Sequence, residues 1–213
     1  MNKLLYISAN PKPENLSASK TVARQLVNRI TEKYTEIEFE ELDLYEDHIP
    51  QLKHSYFAGR SAIISDEERK RLPESEQREV QRIAALCDQF CSADVYVLAA
   101  PMWSLSFPAP VKEYIDCVIQ AGKTIEFVDN KPQGLLQSHA RLFIYVQSSG
   151  AHIPWILRPA LNKGLNYVHD VIRSVGINRF EELLVDGTGT TDEERASAIE
   201  RAVEKIDDIV MLV

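Results

Sequence analysis

The 213 residues carry 24 Lys plus Arg against 32 Asp plus Glu, a formal net charge of −8, and 45% of them are hydrophobic. Basic residues scattered among a surplus of acids repel polyphosphate backbones, which argues against nucleic-acid binding, and no apolar run approaches the length of a membrane span. The length suits one domain, 1–213, with apolar content enough to cover both faces of a sheet.

Lys3 to Ser8 is a short apolar run that breaks at Asn10, Pro11 and Pro13, and Val22, Leu26 and Ile30 then recur every four residues, which predicts strand, loop and helix. The start after Met1 and Lys3 has no h-region or cleavage site of a signal peptide, so a cytoplasmic location is expected. Ile37, Phe39, Leu42 and Leu44 suggest a second strand. The polar stretch from Tyr45 to Pro73 is too long for an ordinary connection and is expected to be a functional excursion. Glu74 to Cys91 reads as a helix, with Cys87 and Cys91 as small core residues rather than a disulfide or metal pair; no metal site is expected. Asp94 to Ala100 is a continuous apolar run ending at Pro101, the pattern of a buried third strand.

Val111, Tyr114, Ile115, Val118 and Ile119 follow a helical stripe opened by Pro108 and Pro110 and closed by Gly122. After a short piece around Thr124 to Val128, Leu142 to Val146 forms the fourth strand and runs into the small polar cluster Gln147 to Gly150, read as a loop. Leu161, Leu165, Val168, Ile172 and Val175 mark one helix. Phe180 to Val185 is the fifth strand, and a single last helix begins at Asp192 and carries Ala196, Ile199, Val203, Ile206 and Val210.

Strands alternating with helices imply a parallel sheet with right-handed crossovers, hence a three-layer α/β/α sandwich. Five strands suggest the order 2-1-3-4-5, whose crevice lies at the carboxyl ends of strands 1, 3 and 4. Asn10, Ser17, Ala18 and Ser19 stand where the first helix begins and offer hydroxyls and unpaired N–H groups to a phosphate; Ser17 or Ser19 could equally serve only as a helix cap. The fingerprints of dinucleotide and Walker A sites are absent. Pro101, Met102, Trp103, Ser104 and Leu105 make an aromatic and apolar strand end suited to a flat heteroaromatic ligand, or to a plain subunit contact. Gln147, Ser148, Ser149 and Gly150 add small residues that let backbone amides approach such a ring.

The segment AAPMWSLSFPAPVKEYIDCVIQAGKT resembles the AAPMWNF…LKxYxDxxxxAGxTF signature of FMN-dependent NADH-azoreductases, which also act as quinone reductases. The likeness extends through KLLYISANP, DLYEDHIP, DNKPQGLL and QSSGAH. It implies a flavodoxin-like homodimer with one FMN per subunit at the subunit interface. Carried over by position, it implies that Ser17, Ala18 and Ser19, with Asn10 alongside, hold the phosphate. Pro101, Met102, Trp103, Ser104 and Leu105 would then line the isoalloxazine, and Gln147, Ser148, Ser149 and Gly150 approach its pyrimidine side. Ser104, Leu105 and Ile125 depart from the pattern, which has Asn, Phe and Phe there.

The resemblance further implies ping-pong transfer from NADH or NADPH through FMN to quinones, and to azo compounds that are cleaved to amines after two cycles. His152 is the candidate proton donor to the acceptor, against the commoner reading of a loop histidine as a surface residue. Residues 45–73 would form part of a lid over the neighbouring subunit's flavin. Other readings are a flavodoxin-like electron carrier, a flavin-free regulatory relative, or an FMN reductase or modulator-of-drug-activity type quinone reductase. Purified protein that stays colourless in FMN would favour the flavin-free reading.

Overall fold

The computed structural model describes residues 2–213, apart from the side chains of Trp155 and Pro159. In chain order the elements are β1 Lys3–Ser8, α1 Ala18–Lys33, β2 Glu38–Asp43, β3 Phe57–Gly59, β4 Ala62–Ile63, α2 Asp66–Arg69, α3 Glu74–Ser92 and β5 Val95–Pro101. They continue with α4 Ala109–Val118, β6 Ile125–Val128, β7 Lys131–Gly134, β8 Leu142–Ser149, α5 Arg158–Leu161, α6 Lys163–Ser174, β9 Arg179–Asp186, α7 Asp192–Val203 and α8 Ile206–Val210. β3/β4 and β6/β7 are antiparallel hairpins outside the main sheet.

The main sheet runs β2-β1-β5-β8-β9 with every pair parallel. Counting only its strands, this is the expected flavodoxin-like order 2-1-3-4-5. Period-2 alternation divides each central strand between two cores. Leu5, Ile7, Tyr96, Leu98, Phe143 and Tyr145 point to the side of α3, α4 and α6. Leu4, Tyr6, Val95, Val97, Leu142 and Ile144 point to the side of α1, α7 and α8. β5 and β8 are buried throughout, as strands covered on both faces must be.

Four boundaries differ from the sequence reading. Gln147, Ser148 and Ser149 are not a loop: they complete β8 and pair with Leu184, Val185 and Asp186 of β9. A strand held by neighbours on both sides gains backbone hydrogen bonds whatever its side chains, so the apolar run understated its length. The helix expected from Leu161 divides at Asn162, whose backbone is non-helical (ψ 68) and whose side chain caps α6 by accepting from the Leu165 N–H at 3.1 Å. The last helix likewise divides into α7 and α8 around Glu204 and Lys205. α4 ends at Val118, and Gly122, at φ +80, instead turns the chain toward β6.

The stretch 45–73 is structured. Tyr56 is fully buried and Ile63, Ile64 and Leu72 pack on the α3/α4 side, so this segment covers its own chain's core.

At the opposite end of the sheet from the strand termini, Asp94 ties the chain start to β5. Its carboxylate accepts from the N–H groups of Asn2 (2.6 Å) and Lys3 (3.2 Å) and lies 2.9 Å from His139 Nε2. Burial pushes this carboxyl up, but those three partners outweigh it and hold it below the usual carboxylate range. A depressed folded-state value stabilises above the ordinary carboxylate range, and that stabilisation is lost as the pH falls through it. Asp94→Asn is therefore expected to lower thermal stability at neutral pH and to flatten its decline on acidification, measured by melting curves across pH.

Candidate functional site

The carboxyl ends of β1, β5, β8 and β9 open on one crevice of about 270 Å³. Its first wall is the loop after β1 and the start of α1, with Asn10, Lys12, Ser17 and Ala18. Ser17 caps α1: its hydroxyl accepts from the Lys20 N–H (3.4 Å) and from Asn10 Nδ2 (2.8 Å). Ser17 is thus a helix cap, as one reading had it, and it also lines the crevice. With Lys20 and Thr21 bonded to Ser17, the N–H groups of Ala18 and Ser19 keep no acceptor among the described residues.

Behind this wall Lys20 Nζ donates to Asp43 Oδ2 at 2.7 Å. Burial raises the Asp43 carboxyl, but hydrogen bonds from Lys20 and the Tyr45 N–H outweigh it and leave it lowered. The pair fastens α1 to the end of β2.

The second wall is Pro101, Met102 and Trp103, with Trp103 43% exposed. Met102 is joined to β8 by its N–H, which donates to the Ser148 carbonyl at 2.7 Å. Trp103 and Ser106 exchange backbone hydrogen bonds of 3.0 and 2.8 Å around a two-residue turn. Its central residues, Ser104 (φ 50) and Leu105 (φ 64), are both left-handed. Such a turn favours Asn and Gly, so Ser and Leu strain it locally. α6 holds it in place: Gly164 N–H donates to the Leu105 carbonyl at 3.2 Å, and a Cβ on Gly164 would stand 2.8 Å from the Ser106 backbone.

Ser148, Ser149 and Gly150 form the third wall. The Ser149 hydroxyl sits 2.6 Å from the Ala151 carbonyl oxygen and 2.9 Å from Asp186 Oδ1. A Cβ built on Gly150 would meet nothing within 4 Å, so the backbone there faces open space.

The expected residues are thus brought together with five exceptions. Ser19 is fully buried behind the first wall. Ser104 and Leu105 project from the turn and do not line the crevice. Gln147 is buried beneath it, accepting from Asn162 Nδ2 at 2.5 Å and reaching the Tyr145 hydroxyl at 3.4 Å. His152 is exposed and lines a different cavity, of about 340 Å³, with Arg158, Asp186, Arg201 and Lys205 on the β9 side.

A fourth wall escaped the sequence reading: Thr188, Gly189, Thr190 and Thr191 after β9, with Asp192 and Arg195 of α7. The order 2-1-3-4-5 directs attention to strands 1, 3 and 4, and β9 lies at the edge. The run Gly187-Thr-Gly-Thr-Thr followed by the capping-box spacing Thr191-x-x-Glu194 was the available signal.

Whether this crevice suits a phosphorylated, flat heteroaromatic group depends on its donors and its space. It offers the unpaired Ala18 N–H and the Lys12 ammonium, which forms no ion pair among the described residues, at one end. It offers an exposed indole and an unobstructed glycine at the other. These fit FMN. Among the described residues no group of three or more His, Cys, Asp or Glu could hold a metal ion, and no helix is long and apolar enough to cross a membrane.

Comparison with known proteins places the chain. The profile of the flavodoxin-like fold family matches residues 2–210. An FMN-dependent NADH:quinone oxidoreductase of Ruminiclostridium cellulolyticum is 66% identical over 210 residues, 99% of each chain. One of the same name from Clostridium botulinum is 54% identical over 211 residues, 99% of this chain and 98% of that protein. Among solved structures, an FMN-dependent NADH-azoreductase from Bacillus anthracis in complex with FMN superimposes with a TM-score of 0.82 at 24% identity, covering 99% of this chain and 100% of that one. At that identity the likeness speaks for the fold, whereas the two clostridial matches speak for the family. The chain belongs to the flavodoxin-like family of FMN-dependent NADH:quinone oxidoreductases.

Proposed function

We propose that the chain holds FMN in this crevice and passes electrons from NADH or NADPH to quinones and azo compounds, donor and acceptor occupying the same open face in turn. Bound FMN supplies two-electron redox chemistry that no side chain offers. The observation that carries the reading is the presence, in one crevice, of the unpaired Ala18 amide and the Trp103 and Gly150 surfaces. The Ala18 amide and Ser17 bind the phosphate at the positive end of α1. Met102, Trp103 and Gly150 orient the ring, and the strand ends of β5 and β8 keep those three in register. His152 takes no part in this reading, because it lines the separate cavity beside β9.

The support for quinones is the names of the two clostridial relatives. Azo cleavage is supported by the resemblance of residues 99–124 to the azoreductase signature and by the open face, which sets few steric limits on a flat acceptor. Anaerobic addition of NADH to the FMN-loaded protein is expected to bleach the flavin, and either a quinone or an azo dye to restore its colour. Bleaching without reoxidation by either acceptor would sink the proposed reaction.

Gly164→Ala is expected to push the 103–106 turn away from α6, destabilise the protein by about 1–3 kcal/mol and weaken FMN binding severalfold, read by melting temperature and flavin fluorescence.

The proposed assembly is a homodimer. Leu16, Leu105, Ile156 and Leu157 are exposed on the loops that follow β1, β5 and β8, with Trp103 among them. A second copy covering these loops would remove them from water and shield the ring. Ile156→Glu is expected to shift the sedimentation coefficient from dimer toward monomer; a wild-type monomer at micromolar concentration would end the idea.

A further inference from the structure

Resting on the reading of this crevice as an FMN site, we infer that Arg195 in the first turn of α7 is a phosphate-binding residue that works with Ser17 and the Ala18 amide. FMN's phosphate monoester carries about −1.5 to −2 charges near neutral pH, as phosphate monoesters do. The N-terminus of α1 supplies about half a positive charge. The protein as a whole, at −8, repels an anion. Cations within the crevice must make up the difference, and those lining it are Lys12 and Arg195.

Arg195 is available for this. Its only ion pair among the described residues is with Asp192 Oδ1, at 3.1 Å on its own helix. That carboxylate is 86% exposed, whereas the Arg195 side chain is 30% exposed. An exposed pair one turn apart contributes little and gives up its guanidinium readily to a better acceptor. The end of α7 adds little positive charge, since Asp192, Glu193 and Glu194 all stand in its first turn and offset its dipole. Positive charge on this wall therefore comes from the guanidinium.

The wall is also held firmly. Thr188 N–H donates to the Ser149 carbonyl at 3.0 Å and Gly189 N–H to the Gly150 carbonyl at 3.1 Å, which ties the loop before α7 to the third wall. Gly189 lies at φ +54, and a Cβ there would come within 2.2 Å of the Glu194 carboxylate. Any side chain at that position would press on Glu194 and disturb the capping box.

Titration of the flavin-free full-length protein with FMN and with riboflavin, which lacks the phosphate, followed by flavin fluorescence, tests the assignment. Arg195→Gln is expected to raise the Kd for FMN about tenfold, on the scale of one charge-assisted hydrogen bond, and to leave the riboflavin Kd within about twofold. Arg195→Lys should recover part of the loss. Asp192→Asn should tighten FMN binding severalfold, because it removes the negative charge that holds the guanidinium and repels the phosphate. Equal weakening of FMN and riboflavin by Arg195→Gln, or an unchanged FMN Kd, overturns the assignment. Wild-type protein that binds neither flavin would instead overturn the FMN reading itself, and this assignment with it.

Discussion

Parallel strands must all end at the same edge of their sheet, and this constraint makes the site possible. β1, β5, β8 and β9 terminate side by side, so four segments far apart in the chain become the walls of one crevice. Because each of those strands is buried on both faces or fastened to a buried neighbour, the walls rest on the buried centre of the molecule. Hydrogen bonds across the strand ends, Met102 to Ser148, Thr188 to Ser149 and Gly189 to Gly150, extend the ladder into the loops. The site is in effect the last layer of the sheet.

Much of this was legible in the residues. The runs at Lys3–Ser8 and Asp94–Ala100, the fourfold spacing of Val22, Leu26 and Ile30, and the stripe from Val111 to Val118 each specify one element by periodicity, and their alternation specifies the layers. The three expected walls follow from that topology. Less legible were features that depend on partners distant in sequence. Gln147 looks like a ligand residue in isolation, yet its amide is committed to Asn162, fifteen positions away. His152 follows the Gly150 loop closely but turns toward β9. Arg195 looks like one more helix surface charge until β9 brings its loop beside β8.

The structure also separates binding from support. Ser17 and Trp103 face the crevice, whereas Gly164, Asn162 and Asp43 never reach it and only decide where the facing residues stand. Local sequence signatures report the first kind well. The second kind become visible only as contacts, such as the approach of Gly164 to the Ser106 backbone.

One consequence reaches beyond binding. A leucine with φ +64 occupies a conformation that its own side chain disfavours, and the bend containing it persists because a neighbouring helix grips the peptide. Position and chemistry are thereby uncoupled at the tip: residues 104 and 105 can vary in size and polarity while the backbone path stays put. Such a tip can change what it presents to its surroundings without disturbing the scaffold underneath.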